Sequence, residues 1–233
     1  MKVKLVYIVI CMLLCACKST VKEAGSEENV VSLFNGKNLD KWTGDSRIWS
    51  VEDGSIVGRT TDENKIEKNT FLIYEDSFAD FELSFSYKII GGNSGVQYRS
   101  KVIDNDLFVV GGYQADMEAG INYSGILYEE KGRGIIAKRG EKITIAEDGK
   151  KAIEQFVKSE EIQAIIKQEQ WNTYKIVAKG NQLQHFINGH KTIDVTDNQL
   201  DKKSDAGILA LQVHAGPNMV VYYTNIELKP ILK

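Results

Sequence analysis

Between Phe81 and Ile89 the side chains alternate without a break. Phe81, Leu83, Phe85, Tyr87 and Ile89 fall on one face, and Glu82, Ser84, Ser86 and Lys88 on the other. Period-2 alternation defines a long antiparallel strand with one packed face. Trp49, Ser50 and Val51 and the run 55–58 flank Asp53-Gly54, a hairpin turn signal. Short strands are expected at 95–99, 113–118, 125–129, 143–146, 171–178, 182–187, 191–195, 207–214 and 220–228, bounded by Gly, Asn or Asp. One segment departs from this rhythm. Within 150–168, Ala152, Ile153, Phe156 and Val157 stand at helical spacing, followed by Ile162, Ile165 and Ile166. That predicts an inserted helix, broken near Ser159. Many short strands with regular turn signals indicate an all-β jelly-roll sandwich, with a closed barrel as the alternative.

The three cysteines all lie in the first seventeen residues. Lys2 and Lys4, the apolar run 5–14 and Leu14-Cys15-Ala16-Cys17 read as a bacterial lipoprotein signal peptide over 1–16, cleaved before Cys17. The run is too short to span a bilayer, which takes ~20 apolar residues. On this reading Cys17 is lipidated, 17–29 is a polar tether, and 30–233 forms one domain at the cell envelope, held by its anchor on a periplasmic or outer-membrane face. Such a domain has no disulfides and depends on its apolar core. Removing Lys2 and Lys4 takes the formal charge from -3 to -5, and no basic cluster stands out, so nucleic acid is not the expected ligand.

Strand alternation assigns polar side chains to faces. Gln97 and Arg99 oppose Val96 and Tyr98. Gln114, Asp116 and Glu118 oppose Tyr113, Ala115 and Met117. Gln212 and His214 oppose Leu211 and Val213. These groups hydrogen-bond directionally, and the glycine-rich runs 91–95 and 111–112 lie beside them, which suits a sugar and its many hydroxyls. In the charged run 128–134, Glu129 or Glu130 is a candidate acid or base and Arg133 a candidate for an anionic oxygen, beside Tyr128. Of the three histidines, His190 is expected to be exposed, His185 packed and His214 functional. Neither a His-x-x-x-His nor a Cys-x-x-Cys spacing is present to argue for zinc.

The runs 33–42, 92–99, 112–116, 123–128, 171–174, 187–189 and 211–214 occur in an order that resembles the 3-keto-disaccharide hydrolase domain family over about 31–228. The resemblance implies a concanavalin-A-like jelly roll and a hydrolase or lyase acting on 3-keto-glycosides. A partner oxidoreductase first makes the C3 ketone; a base then removes the acidified C2 proton, and the C1 substituent is expelled. The resemblance places Asp116 or Glu129 as base, His214 as acid and Arg99 at the enolate, with Gln97, Gln114 and Gln212 orienting the ring and Glu118, Tyr128 and Arg133 near it. It also admits a divalent cation, with Asp116, Glu118, Glu129 and His214 as candidate ligands. Gln114 stands where many members carry an acidic residue, so no carboxylate role carries over there. The rival function is a non-catalytic carbohydrate-binding lipoprotein.

Overall fold

The computed structural model describes residues 29–232. The leader, Cys17 and nearly all of the tether lie outside the described residues. In chain order the strands are β1 (Val31–Ser32), β2 (Trp42–Thr43), β3 (Trp49–Glu52), β4 (Ser55–Arg59), β5 (Thr70–Phe78), β6 (Phe81–Ile90), β7 (Asn93–Asp104), β8 (Val109–Glu118) and β9 (Leu127–Glu130). They continue with β10 (Gly134–Ala137), β11 (Glu141–Ile145) and β12 (Lys151–Gln155). After the helix α1 (Ser159–Ile165) come β13 (Asn172–Lys179), β14 (Gln182–Ile187), β15 (His190–Asp197), β16 (Gly207–Val213) and β17 (Val220–Pro230).

Two sheets result. The back sheet runs β12-β11-β15-β14-β13-β6-β17-β4-β3, with β1 added beside β17, and the front sheet runs β10-β9-β8-β7-β16-β5-β2. Each keeps its own edges, so the molecule is a jelly-roll sandwich and not a closed barrel. Pairing is antiparallel except between β11 and β15. The apolar face of β6 is buried throughout and meets Val96, Tyr98, Tyr113, Ala115, Met117, Leu209, Leu211 and Val213 from the front sheet in one core. Phe85 stacks on Tyr174 with ring centroids 5.3 Å apart.

Segment 150–168 is not helical throughout. Asp148 and Gly149 make a tight turn, with Gly149 N–H donating to Ala146 O and Ala146 N–H to Lys150 O. Residues 151–155 then pair with β11 as an edge strand, and only 159–165 form a helix. The apparent helical spacing misleads because all five residues of β12 are exposed, Ile153 by 61%, so no core contact enforces a period there. The helix buries Ile162 and carries Glu160 and Glu161 in its first turn, where the helix dipole favours anions.

His185 lies fully buried in the core. Tyr98 Oη is 2.9 Å from its Nε2 and Tyr174 Oη 3.2 Å from its Nδ1. Burial pushes its pKa down to about 3. The unfolded chain takes up a proton near pH 6.5 and the folded one does not until about 3, so this group's contribution is present above pH 6.5 and is lost as pH falls through that window. Urea unfolding of wild type against His185→Gln checks this. Their difference is expected to move against wild type by up to about 1.4 kcal/mol per pH unit below 6.5.

Candidate functional site

On β8, Tyr113, Ala115 and Met117 enter the core, so Gln114, Asp116 and Glu118 face outward. Outward residues normally meet water, yet Gln97 and Gln212 are 0% exposed, Gln114 2% and Asp116 6%. Gln114, Asp116 and Gln212 form the floor of a hollow on the front sheet, a cavity of about 470 Å³ with Glu118, Tyr128, Glu130 and His214 on its walls and Tyr123, Ile126, Ile135 and Pro217 around them. That size is ordinary for a small-molecule site.

Register explains the depth. Gly95 stands opposite Asp116, and Val96 stands opposite both Ala115 and Leu211, which puts Gly95 between Asp116 and Gln212. Lacking a side chain, Gly95 leaves a gap that Gln114 fills: a Cβ at Gly95 would sit 2.6 Å from Gln114 Cγ. Gln114 Nε2 donates to Asp116 Oδ1 at 2.6 Å and approaches Gln212 Oε1 at 3.3 Å. Behind it, Gln97 Nε2 donates to Gln114 Oε1 at 2.7 Å. Gln212 Nε2 is buried without a partner. An unmet buried donor costs ~1–3 kcal/mol, so an acceptor on a bound ligand suits it.

Burial pushes the Asp116 carboxyl up to about 8, and the negative charges of Glu130 and Glu118 push the same way against the Gln114 hydrogen bond. His214, exposed at the rim, donates from Nδ1 to Ala215 O at 2.6 Å, so in the neutral ring Nε2 carries the free lone pair. The pocket thus combines a carboxyl poised near neutrality and a free amide donor on its floor with an imidazole at its rim. Such a set can remove a proton from carbon, hold a developing oxyanion and protonate a leaving oxygen.

Gln114, Asp116, Glu118, Tyr128, Gln212 and His214 therefore come together, and Gln97 lies directly beneath them. Three sequence candidates do not join. Arg99 has φ +46°, and β7 slips register between Tyr98 and Lys101, so alternation with Gln97 fails there. Its guanidinium instead binds Asp80 Oδ1 at 2.8 Å, Ala79 O at 2.7 Å and Gly180 O at 2.7 Å, tying β7 to the connection between the two sheets at β5–β6 and to the β13–β14 turn of the back sheet.

Glu129 and Arg133 turn to the opposite face of β9 from Tyr128. Arg133 Nε donates to Glu129 Oε2 at 2.6 Å and its Nη2 to Asp197 Oδ2 at 2.7 Å, with Tyr113 Oη also on Asp197. The pocket carboxylate on this strand is Glu130. Leu127 is in the core, so alternation alone puts Tyr128 and Glu130 outward. The expected cation ligands accordingly do not converge. Glu129 faces away, and Glu118 Oε1 accepts backbone N–H groups from Asn122 and Tyr123. Among the described residues no group of three or more His, Cys, Asp or Glu side chains is placed to hold a metal ion. Tyr123, Ile126, Ile135 and Pro217 carry no site signal in the sequence because loops and neighbouring strands bring them in.

Against known proteins, no curated sequence matches. Among solved structures, the fold is similar to a Parabacteroides distasonis protein provisionally described as a glycosyl hydrolase, with TM-score 0.59 and 19% identity over 87% of this chain and 94% of that one. It is also similar to the carbohydrate binding module CBM66 from Bacillus subtilis, with TM-score 0.54 and 16% identity over 81% of this chain and 95% of that one. A galectin-like protein of unknown function from Bacillus subtilis matches with TM-score 0.55 and 9% identity over 86% and 94%. These likenesses establish the sandwich as galectin-like. A family model, the 3-keto-alpha-glucoside-1,2-lyase-like domain, matches residues 29–229. With nearly the whole described chain inside that match, the protein belongs to the 3-keto-alpha-glucoside-1,2-lyase-like domain family.

Proposed function

We propose that the protein cleaves 3-keto-glycosides by removing the C2 proton and eliminating the C1 substituent, as a lyase whose unsaturated product then takes up water. The observation that carries this is Asp116, a carboxyl buried on the floor of a sugar-sized hollow and held near neutrality. A ketone at C3 acidifies C2–H. Asp116 takes that proton, electron density moves onto the ketone oxygen, and the unpartnered Gln212 Nε2–H donates to it there. As the enolate collapses the C1–O bond breaks, and His214, entering the step as the imidazolium, gives its Nε2 proton to the leaving oxygen and keeps Nδ1–H on Ala215 O. Gln212 thus takes the oxyanion role that the family resemblance assigns to Arg99. No step requires a metal held by these residues.

Incubating the purified protein with 3-keto-trehalose or another 3-keto-glucoside, with and without EDTA, tests the proposal. The expected result is loss of substrate with release of the aglycone and a 1,2-unsaturated or hydrated keto sugar. Tight binding of unoxidised glycans with no turnover supports the binding-module reading, which Tyr123 and Tyr128 on the pocket wall would serve as stacking surfaces. Gly95→Ala places a methyl group against Gln114 and is expected to lower kcat/KM by about 10²-fold while the fold persists. Steady-state kinetics and circular dichroism check this.

Place and partner follow from the same chemistry. A ketone at C3 has to be supplied by a sugar oxidoreductase acting first. The lipoprotein signal puts this domain at the cell envelope on an acylated Cys17, held by more than one chain because a single chain anchors only weakly. Labelled palmitate incorporation that vanishes in Cys17→Ser supports the anchor, and label retained in that variant refutes it.

A further inference from the structure

Gln97 and Ser100 never reach the pocket, yet both lie buried beneath it. Three hydrogen bonds link them to Asp116. Ser100 Oγ donates to Gln97 Oε1 at 2.7 Å, Gln97 Nε2 donates to Gln114 Oε1 at 2.7 Å, and Gln114 Nε2 donates to Asp116 Oδ1 at 2.6 Å. Once Asp116 is ionised, chemistry forces this direction. A carboxylate only accepts, so Gln114 must offer it Nε2 and turn Oε1 toward Gln97. Gln97 must then offer its own Nε2, which leaves its Oε1 needing a donor in a buried place. Ser100 is that donor. Tyr98 O and Tyr113 O also lie within its reach, at 3.0 and 3.3 Å, but both are longer.

In a regular strand, residues 97 and 100 point to opposite faces. The register slip at Arg99 adds a residue and returns Ser100 to the face of Gln97. Opposite, Gly112 has φ +143°, and a Cβ there would collide with Ser100 Oγ, so glycine makes the room. A bulge, a left-handed arginine and a glycine all converge on placing one hydroxyl.

We propose that Ser100 and Gln97 are positioning residues: the chain from Ser100 through Gln97 holds Gln114 with its amide N–H toward Asp116, ready to stabilise the carboxylate form. This rests on the reading of Asp116 as the base. The charged and titratable groups around Asp116 are Glu118 on its own strand, Glu130 and Tyr128 from β9, His214 beyond β16, and Tyr174 and Tyr223 from the back sheet. None of these donates a hydrogen bond to the carboxylate, so the amide chain is its support.

The test uses the full-length protein, Gln97→Glu and Ser100→Ala. Asp116 is titrated by carboxyl-carbon NMR, and the pH dependence of kcat/KM is measured on a 3-keto-glucoside. The ionised carboxylate that Gln97→Glu introduces accepts only, so it draws Gln114 Nε2 to itself and turns Oε1 toward Asp116. Gln97→Glu is therefore expected to move the Asp116 titration and the rising limb of kcat/KM up together by about one pH unit or more, a roughly tenfold loss at pH 7. Ser100→Ala, which keeps the strand and removes only the first donor, is expected to shift both in the same direction by less. A titration that moves while the limb stays put upholds the relay and removes Asp116 as base. Folded variants whose Asp116 titration does not move overturn the proposal, whatever the limb does.

Discussion

Asp116→Asn is expected to lower kcat by about 10²–10⁴-fold, the usual contribution of a positioned base, with a much smaller change in KM. The same variant is expected to be more stable than wild type. Burial raises the folded pKa of Asp116 to about 8, whereas an unfolded aspartate titrates near 3.8. The contribution of this group is therefore fully present below pH 3.8 and is lost as pH rises to about 8, by up to about 1.4 kcal/mol per pH unit. Asn mimics the protonated acid and does not lose it. Urea unfolding of the pair should show the gap opening in favour of Asn between about pH 5 and pH 8. An inactive variant no more stable at pH 8 than wild type would mean that Asp116 is not held near neutrality. Stability given up at one residue for chemistry is the mark of a site rather than of a surface.

The second large effect concerns Arg99. Its side chain is 1% exposed and its partner Asp80 16%. Arg99→Met removes the charge and the donors that hold Ala79 O and Gly180 O, and leaves Asp80 without its cation. Breaking a buried pair from one side costs about 3–5 kcal/mol. The expected result in chemical denaturation is a loss of that size. Unchanged stability with collapsed activity would instead return Arg99 to the substrate.

These two residues mark where strand parity can be read from a sequence and where it cannot. Asp116 is legible because β8 is regular: Tyr113, Ala115 and Met117 fix one face, and every polar residue between them takes the other. The same logic places Gln212 and His214. It fails at Arg99 because one left-handed residue breaks parity, and nothing in Tyr98-Arg99-Ser100 announces a bulge. At β9 the signal is present, since Leu127 in the core sends Glu130 outward, but a pair of adjacent glutamates obscures it. Strand β12 reads as helix because an edge strand with no buried side chain bears no period of its own. The pocket walls from Tyr123, Ile135 and Pro217 depend on tertiary contacts that no local pattern encodes.

The central claim is that the C2 proton leaves before the C1 bond is cleaved. A 3-keto-glucoside carrying deuterium at C2 tests it most directly, with turnover followed by NMR in ordinary water. Cleavage of the labelled substrate is expected to be slower and its product stripped of deuterium, with turnover of either substrate by Asp116→Asn lower by about 10²–10⁴-fold. Cleavage at the unlabelled rate, with deuterium retained at C2 of the released sugar, would contradict the claim.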